Sequence, residues 1–159
     1  MGKLNRIEKT LFEIKRVLLE NENIRKLLFN DGEDALRQPT PAVNEVDNYI
    51  VLDPVYEAKD CSKGVFVNII IESGNAQEDN IIFGTIRINI AANRGVWFIE
   101  NGVRILRLGD EIINILEQCK FSISNNITFD SFSTLIIDKD LYGYTLSFDF
   151  SDGVGNIEY

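Results

Sequence analysis

The chain sets 16 Lys and Arg against 25 Asp and Glu over 159 residues, a net charge of −9. With 45% apolar and 26% charged residues it has the balance of a folding chain, and one domain of this size buries about 70% of its unfolded surface. It holds no histidine, which excludes Ser/His and Cys/His catalysis, histidine-ligated zinc and an imidazole switch near neutral pH.

Leu4, Ile7, Leu11, Ile14 and Leu18 recur at steps of three and four, the stripe of an amphipathic helix. Asn5 followed by Glu8 resembles a capping box, so the helix is expected to start there. Asn21 to Asn23 interrupt the pattern. Ile24, Leu27 and Leu28 restart it as a second short helix ending near Gly32, a residue suited to a left-handed C-cap. Lys15, Arg16, Arg25 and Lys26 share this stretch with Glu8, Glu13, Glu20 and Glu22, and read as a solvated face of mixed sign.

Residues 32–48, with Pro39 and Pro41, read as a long connection in which Pro41 can open one helical turn. The run Tyr49 to Leu52 meets Asp53-Pro54, which confines any strand there to an edge. Then the period changes to two. Val65 to Glu72 and Ile81 to Ile90 are expected to pair as a long antiparallel hairpin around the acidic loop Ser73 to Asn80. After Trp97, Asn101 is expected to cap a helix over Gly102 to Gln118. Ile105, Leu108, Ile112, Ile113 and Leu116 form its apolar side, with Arg104 and Arg107 among the residues opposite. Three strands are expected to follow, Phe121 to Phe129, Ser131 to Ile137 and Tyr142 to Phe150, and residues 151–159 form a flexible tail.

The pattern predicts one α+β domain: an antiparallel sheet, made of the hairpin and a C-terminal meander, with the N-terminal helices and one central helix packed on one face. Its parts are a helical segment 4–31, a loop 32–48, an α+β body 49–150 and the tail. No apolar run is long enough to span a membrane, and the opening residues lack a signal peptide's apolar core, so synthesis in the cytoplasm is expected.

Carboxylates are the only catalytic material in quantity, as the groups Glu78 with Asp79, Asp138 with Asp140, and Asp149 with Asp152. All three are read as lying in predicted turns, where Asp serves local hydrogen bonding. Asp138-Lys139-Asp140 lacks the glycine and closing Glu of a calcium loop. Gly153-Val154-Gly155 has no following helix to make it a phosphate cradle. Cys61 and Cys119 form no CxxC pair and read as buried thiols, although Lys59 and Lys63 flank Cys61. No enzyme, metal or cofactor is expected. Glu78 and Asp79 in the loop, and Trp97, are the candidate subunit or partner contacts.

The element order carries a resemblance. The strand pair from Phe66 to Ile90, the helix LGDEIINILEQ and the closing meander DLYGYTLSFDFSDG resemble the tail terminator proteins of long-tailed bacteriophages. The opening segment IEKTLFEIKRVLLENENIRKLLF is similar to the first helices of phage neck and tail-completion proteins. The resemblance implies a ring, commonly of six subunits, that caps the head-proximal end of the tail tube and meets a head-side connector or stopper protein. It also implies a place in the virion, with genomic DNA passing through the lumen without specific binding. An acidic lumen suits that passage, because it repels phosphates. Other readings are a different neck component, a head-completion or stopper protein, and an acidic monomeric adaptor or inhibitor of a basic host protein.

Overall fold

A computed structural model describes residues 3–52, 64–76, 82–123 and 127–152. The first helix, α1 (Lys3–Glu20), begins ahead of Asn5, which lies within its first turn and caps nothing. Ile14 and Leu18 are fully buried, whereas Leu4 is 77% exposed, so the stripe reaches the core only from the second turn onward. α2 (Glu22–Phe29) follows after a single residue. That residue, Asn21, is its N-cap: the side-chain oxygen accepts the Ile24 N–H at 2.9 Å. Gly32 takes the left-handed conformation, φ 84°, but two residues beyond Asn30, the extended residue that ends α2. It is a turn glycine and not the helix cap.

The connection over residues 32–48 is compact. Short 3-10 turns, Ala35–Arg37 and Asp47–Tyr49, flank the one-turn helix α3 (Val43–Val46). Side-chain donors satisfy its carbonyls: Arg25 reaches Pro41 (3.0 Å), as well as Leu19 at the end of α1 (2.6 Å), Lys26 reaches Leu36 (3.2 Å), and buried Asn30 reaches Ala35 and Pro39. Arg25 and Lys26 therefore depart from the expected solvated face. A loop against a core must pair its backbone, and these neighbours supply the donors.

The strands β1 (Ile50–Val51), β2 (Val65–Ala76), β3 (Ile82–Asn93), β6 (Ile127–Ile136) and β7 (Leu141–Asp152) form a sheet in the order β1-β2-β3-β7-β6. Every pair is antiparallel except β1 with β2, which is parallel. β1 is an edge, as the proline after it requires. The hairpin strands run further than the apolar pattern: Ser73, Gly74 and Asn75, expected in the loop, pair with Thr85, Gly84 and Phe83 past a bulge at Glu72. A ladder needs backbone groups only, so it continues into polar sequence.

A two-stranded ribbon, β4 (Phe98–Ile99) and β5 (Gly102–Val103), precedes the helix α4 (Arg104–Gln118). Asn101 turns this ribbon at φ 61° and is not the cap of α4. The two strands expected before and after Asp130 are one strand, β6, with a bulge between Phe129 and Ser131. The extra residue keeps Phe129 and Phe132 on the same face, where they oppose Phe148 and Leu146. Phe121 to Ile123 are not strand. Phe121 and Ile123 are buried against α1, where the Thr10 hydroxyl accepts the Ile123 N–H at 3.0 Å and Glu13 accepts both the N–H and the hydroxyl of Ser122.

One face of the sheet carries the core. Val67, Ile69, Ile86, Ile88, Ile90 and Phe148 meet Ile14, Leu18, Ile24, Leu27, Ile105, Leu108, Ile112 and Leu116 from the helices, all at 0–1% exposure. Each such side chain contributes about 1.5–3 kcal/mol of transfer free energy. α1 and α2 lie over β2, while α4 lies over β3, β7 and β6. The fold is α+β with its helices on one face of a mostly antiparallel sheet.

On the opposite face Phe66, Ala91 and Leu141 form a small second cluster. Beside it Asn89 donates to Asn68 (3.1 Å) and accepts from Thr145 (2.7 Å). Of the helices described, none is long and apolar enough to cross a membrane.

Candidate interaction surface

With α1 and α2 over β2, the cover of β3, β7 and β6 falls to the 15-residue α4. α4 spans about 22 Å at 1.5 Å per residue and packs against β6. A groove of about 190 Å³ remains between them, lined by Ile90, Ile105, Leu106, Gly109, Asp110, Ile113, Phe129, Phe132, Tyr144 and Leu146. Gly109 keeps the helix side of this groove low. Phe132 stands edge-on to Tyr144, ring centroids 5.8 Å apart, and is still 64% exposed.

Further apolar surface continues from the groove. Ile136, 73% exposed, lies opposite Tyr142, whose ring meets Trp97 at 4.5 Å. Phe98, next to Trp97, is 62% exposed and Leu106 is 50% exposed. Trp97 itself is half-buried, so it supports this surface more than it presents it.

Among the described residues, the strand bordering the groove has a neighbour on one side only. β6 forms one edge of the sheet, runs for 10 residues, and in ITFDSFSTLI holds no proline or lysine and one charge, Asp130. Natural edges are usually guarded by such residues. β1, at the other edge, is two residues long.

A second apolar depression, of about 540 Å³, lies on the far side of the helix layer between α1 and α3. Phe12, Lys15, Arg16, Leu19, Glu20, Val43 and Asp47 line it. Phe12 is 61% and Val43 45% exposed. Lys15 pairs with Asp47 at 3.5 Å, and Arg16 sits 3.8 Å from Glu20.

Of the residues singled out from sequence, Glu78, Asp79, Cys61 and Gly153 to Gly155 lie outside the described residues. The structure gives the turn carboxylates local duties: Asp138 accepts the N–H groups of Asp140 (2.7 Å) and Leu141 (2.9 Å), closing the β6–β7 turn. Asp149 is exposed on β7. Cys119 is a half-buried free thiol at the end of α4. Among the described residues no three acidic or cysteine side chains converge as a metal site would require.

Sequence reasoning did not single out Phe98, Leu106, Phe132 and Ile136, the exposed apolar side chains in and around the groove. Leu106 carried a signal. It falls off the Ile105, Leu108, Ile112 stripe, and an apolar residue on a helix's polar side asks for a partner.

An exposed apolar groove beside a sheet edge is the kind of surface that binding sites use. The chain matches the model of the YomW family over residues 21–150, from the cap of α2 to Phe150, and it belongs to that family, which is phage-derived. No curated protein matches it significantly.

Proposed function

We propose that this protein is a structural component of the phage particle, a tail terminator subunit that caps the head-proximal end of the tail tube and joins it to the head-side connector. The observation that carries this reading is the exposed apolar surface of Leu106, Phe132, Ile136 and Phe98 along an unguarded edge strand. Its setting is membership of a phage-derived family, together with the resemblance of this chain's own sequence to tail terminators. A monomer at work alone has no use for such a surface, whereas a ring subunit covers it. The charge of −9 suits a lumen through which DNA passes.

The proposed role has no catalytic step. Cys61 is the one nucleophile whose neighbours, Lys59 and Lys63, favour reactivity. The test is complementation of a phage lacking the gene, read by electron microscopy of lysates. Without the protein, tails should be of uncontrolled length and unjoined to heads. The wild-type gene and a Cys61→Ser, Cys119→Ser double variant should both restore normal tails. Normal, head-joined tails in its absence would reject the reading. Lost function from a folded double variant would show thiol chemistry in place of a purely structural role.

A further inference from the structure

The two apolar surfaces lie at opposite edges of the molecule. Groove and open strand are at the β6 edge. The Phe12 depression is bounded by α3 and Asp47, and Asp47 begins the 3-10 turn that runs directly into β1, the other edge. Their charges are also opposed. α1 carries five basic residues against three acidic ones, in a chain that is otherwise strongly acidic. One of the three, Glu13, is turned inward onto Ser122. The two elements that border the groove, α4 and β6, hold two basic and four acidic residues, and one of the two basic, Arg104, is buried. Asp110 lines the groove itself.

We infer that the occupant of the β6-edge groove is a second copy of this chain, which inserts the Phe12 face of its α1 so that Lys15 and Arg16 lie toward Asp110. This rests on the ring reading above and specifies its subunit contact. Two different patches at opposite ends of one subunit make a head-to-tail interface. Such an interface propagates until rotation closes it, and leaves no unused patch in a closed ring. Like copies of an acidic chain repel one another. The contact forms where the net-positive helix meets the acidic edge.

Variants blocked on one face each provide the test. Phe132→Glu and Phe12→Glu both change residues that are more than 60% exposed, so the fold should be kept. Sedimentation velocity of the wild type, from micromolar to millimolar concentration, should show association. Either variant alone should associate at least about thirtyfold more weakly. An equimolar mixture should give a heterodimer and nothing larger, because each pair then holds one intact groove and one intact α1 face.

A wild type that stays monomeric over the whole range overturns the inference. So does a Phe12→Glu variant that associates like the wild type, or a mixture that stays monomeric. None of these results touches the complementation experiment, so this contact can fail while the tail reading stands.

Discussion

The Arg104 guanidinium donates to the Leu27 carbonyl at 2.7 Å, joining the first turn of α4 to the last turn of α2 across 77 positions of sequence. The same side chain donates to Val96 at 2.7 Å and to Gly32 at 3.0 Å, and Arg104 is 1% exposed. It was expected on the polar side of α4. Its planar fork fills that place because three carbonyls, one at the negative end of α2, converge there with no backbone donor for them.

Arg104→Met should therefore leave those carbonyls buried and unpaired, and cost about 2–4 kcal/mol, read as a lowered denaturant midpoint at constant slope. Arg104→Lys should recover part of that loss, since an ammonium cannot reach all three. Burial lowers the Arg104 pKa, while Asp31 nearby raises it. A base whose folded pKa is lowered holds its proton less tightly when folded, and that difference enters only at strongly alkaline pH. With no histidine in the chain, and with thiols ordinarily titrating near 8.5, stability should be flat between about pH 6 and 7. A titration step in that window would contradict this.

Two glycines should respond in opposite directions. A Cβ on Gly143, in the middle of the sheet, would stand 1.9 Å from the Ile90 carbonyl oxygen, and backbone cannot move aside cheaply. Gly143→Ala should destabilise by about 1–3 kcal/mol or prevent folding. At Gly109 the nearest atom to a Cβ is Leu146 Cδ1, at an ordinary 3.8 Å. Gly109→Ala should stabilise by about 0.5–1 kcal/mol through helix propensity. Thermal unfolding of both variants checks the pair of signs.

Thr10→Val keeps the shape of a fully buried side chain but removes the acceptor of the Ile123 N–H. The expected loss is about 1–3 kcal/mol, with Ile123 showing faster amide exchange. A neutral result would mean that this bond adds nothing to the docking of α1.

How much could be read in advance is clear from such positions. The inward residues of α2, α4, β2, β3 and β7 follow periods of 3.6 and 2 closely, so these elements and the α+β class were legible. Thr10 was not, because its burial follows from a backbone N–H 113 residues away. Arg104 was missed for the same reason, being buried to satisfy carbonyls 72 and 77 positions away, while Arg25 and Asn30 serve carbonyls of neighbouring turns that the periodicity does not register. The bulge at Asp130 looked like a break between strands, since a flip of alternation and a strand end share one sequence signature. Of the candidate contact surface, only Trp97 had been singled out, and it stands behind the residues that reach solvent.

The hairpin loop gives a test of reach. Ala76 pairs with Ile82, so residues 77–81 can be replaced by Asn-Gly with the register kept. Stability should change by less than about 0.5 kcal/mol. If the acidic loop meets a neighbour or the lumen, binding to tail tubes should fall. Unchanged binding would leave it a plain turn.

The central claim is that this protein caps the tail tube, and the most direct measurement is negative-stain electron microscopy of gold-labelled protein mixed with purified tail tubes that lack it. Label should appear at one end of each tube and nowhere along its length. Label distributed along the tube, or a protein that binds neither tubes nor head connectors, would contradict it.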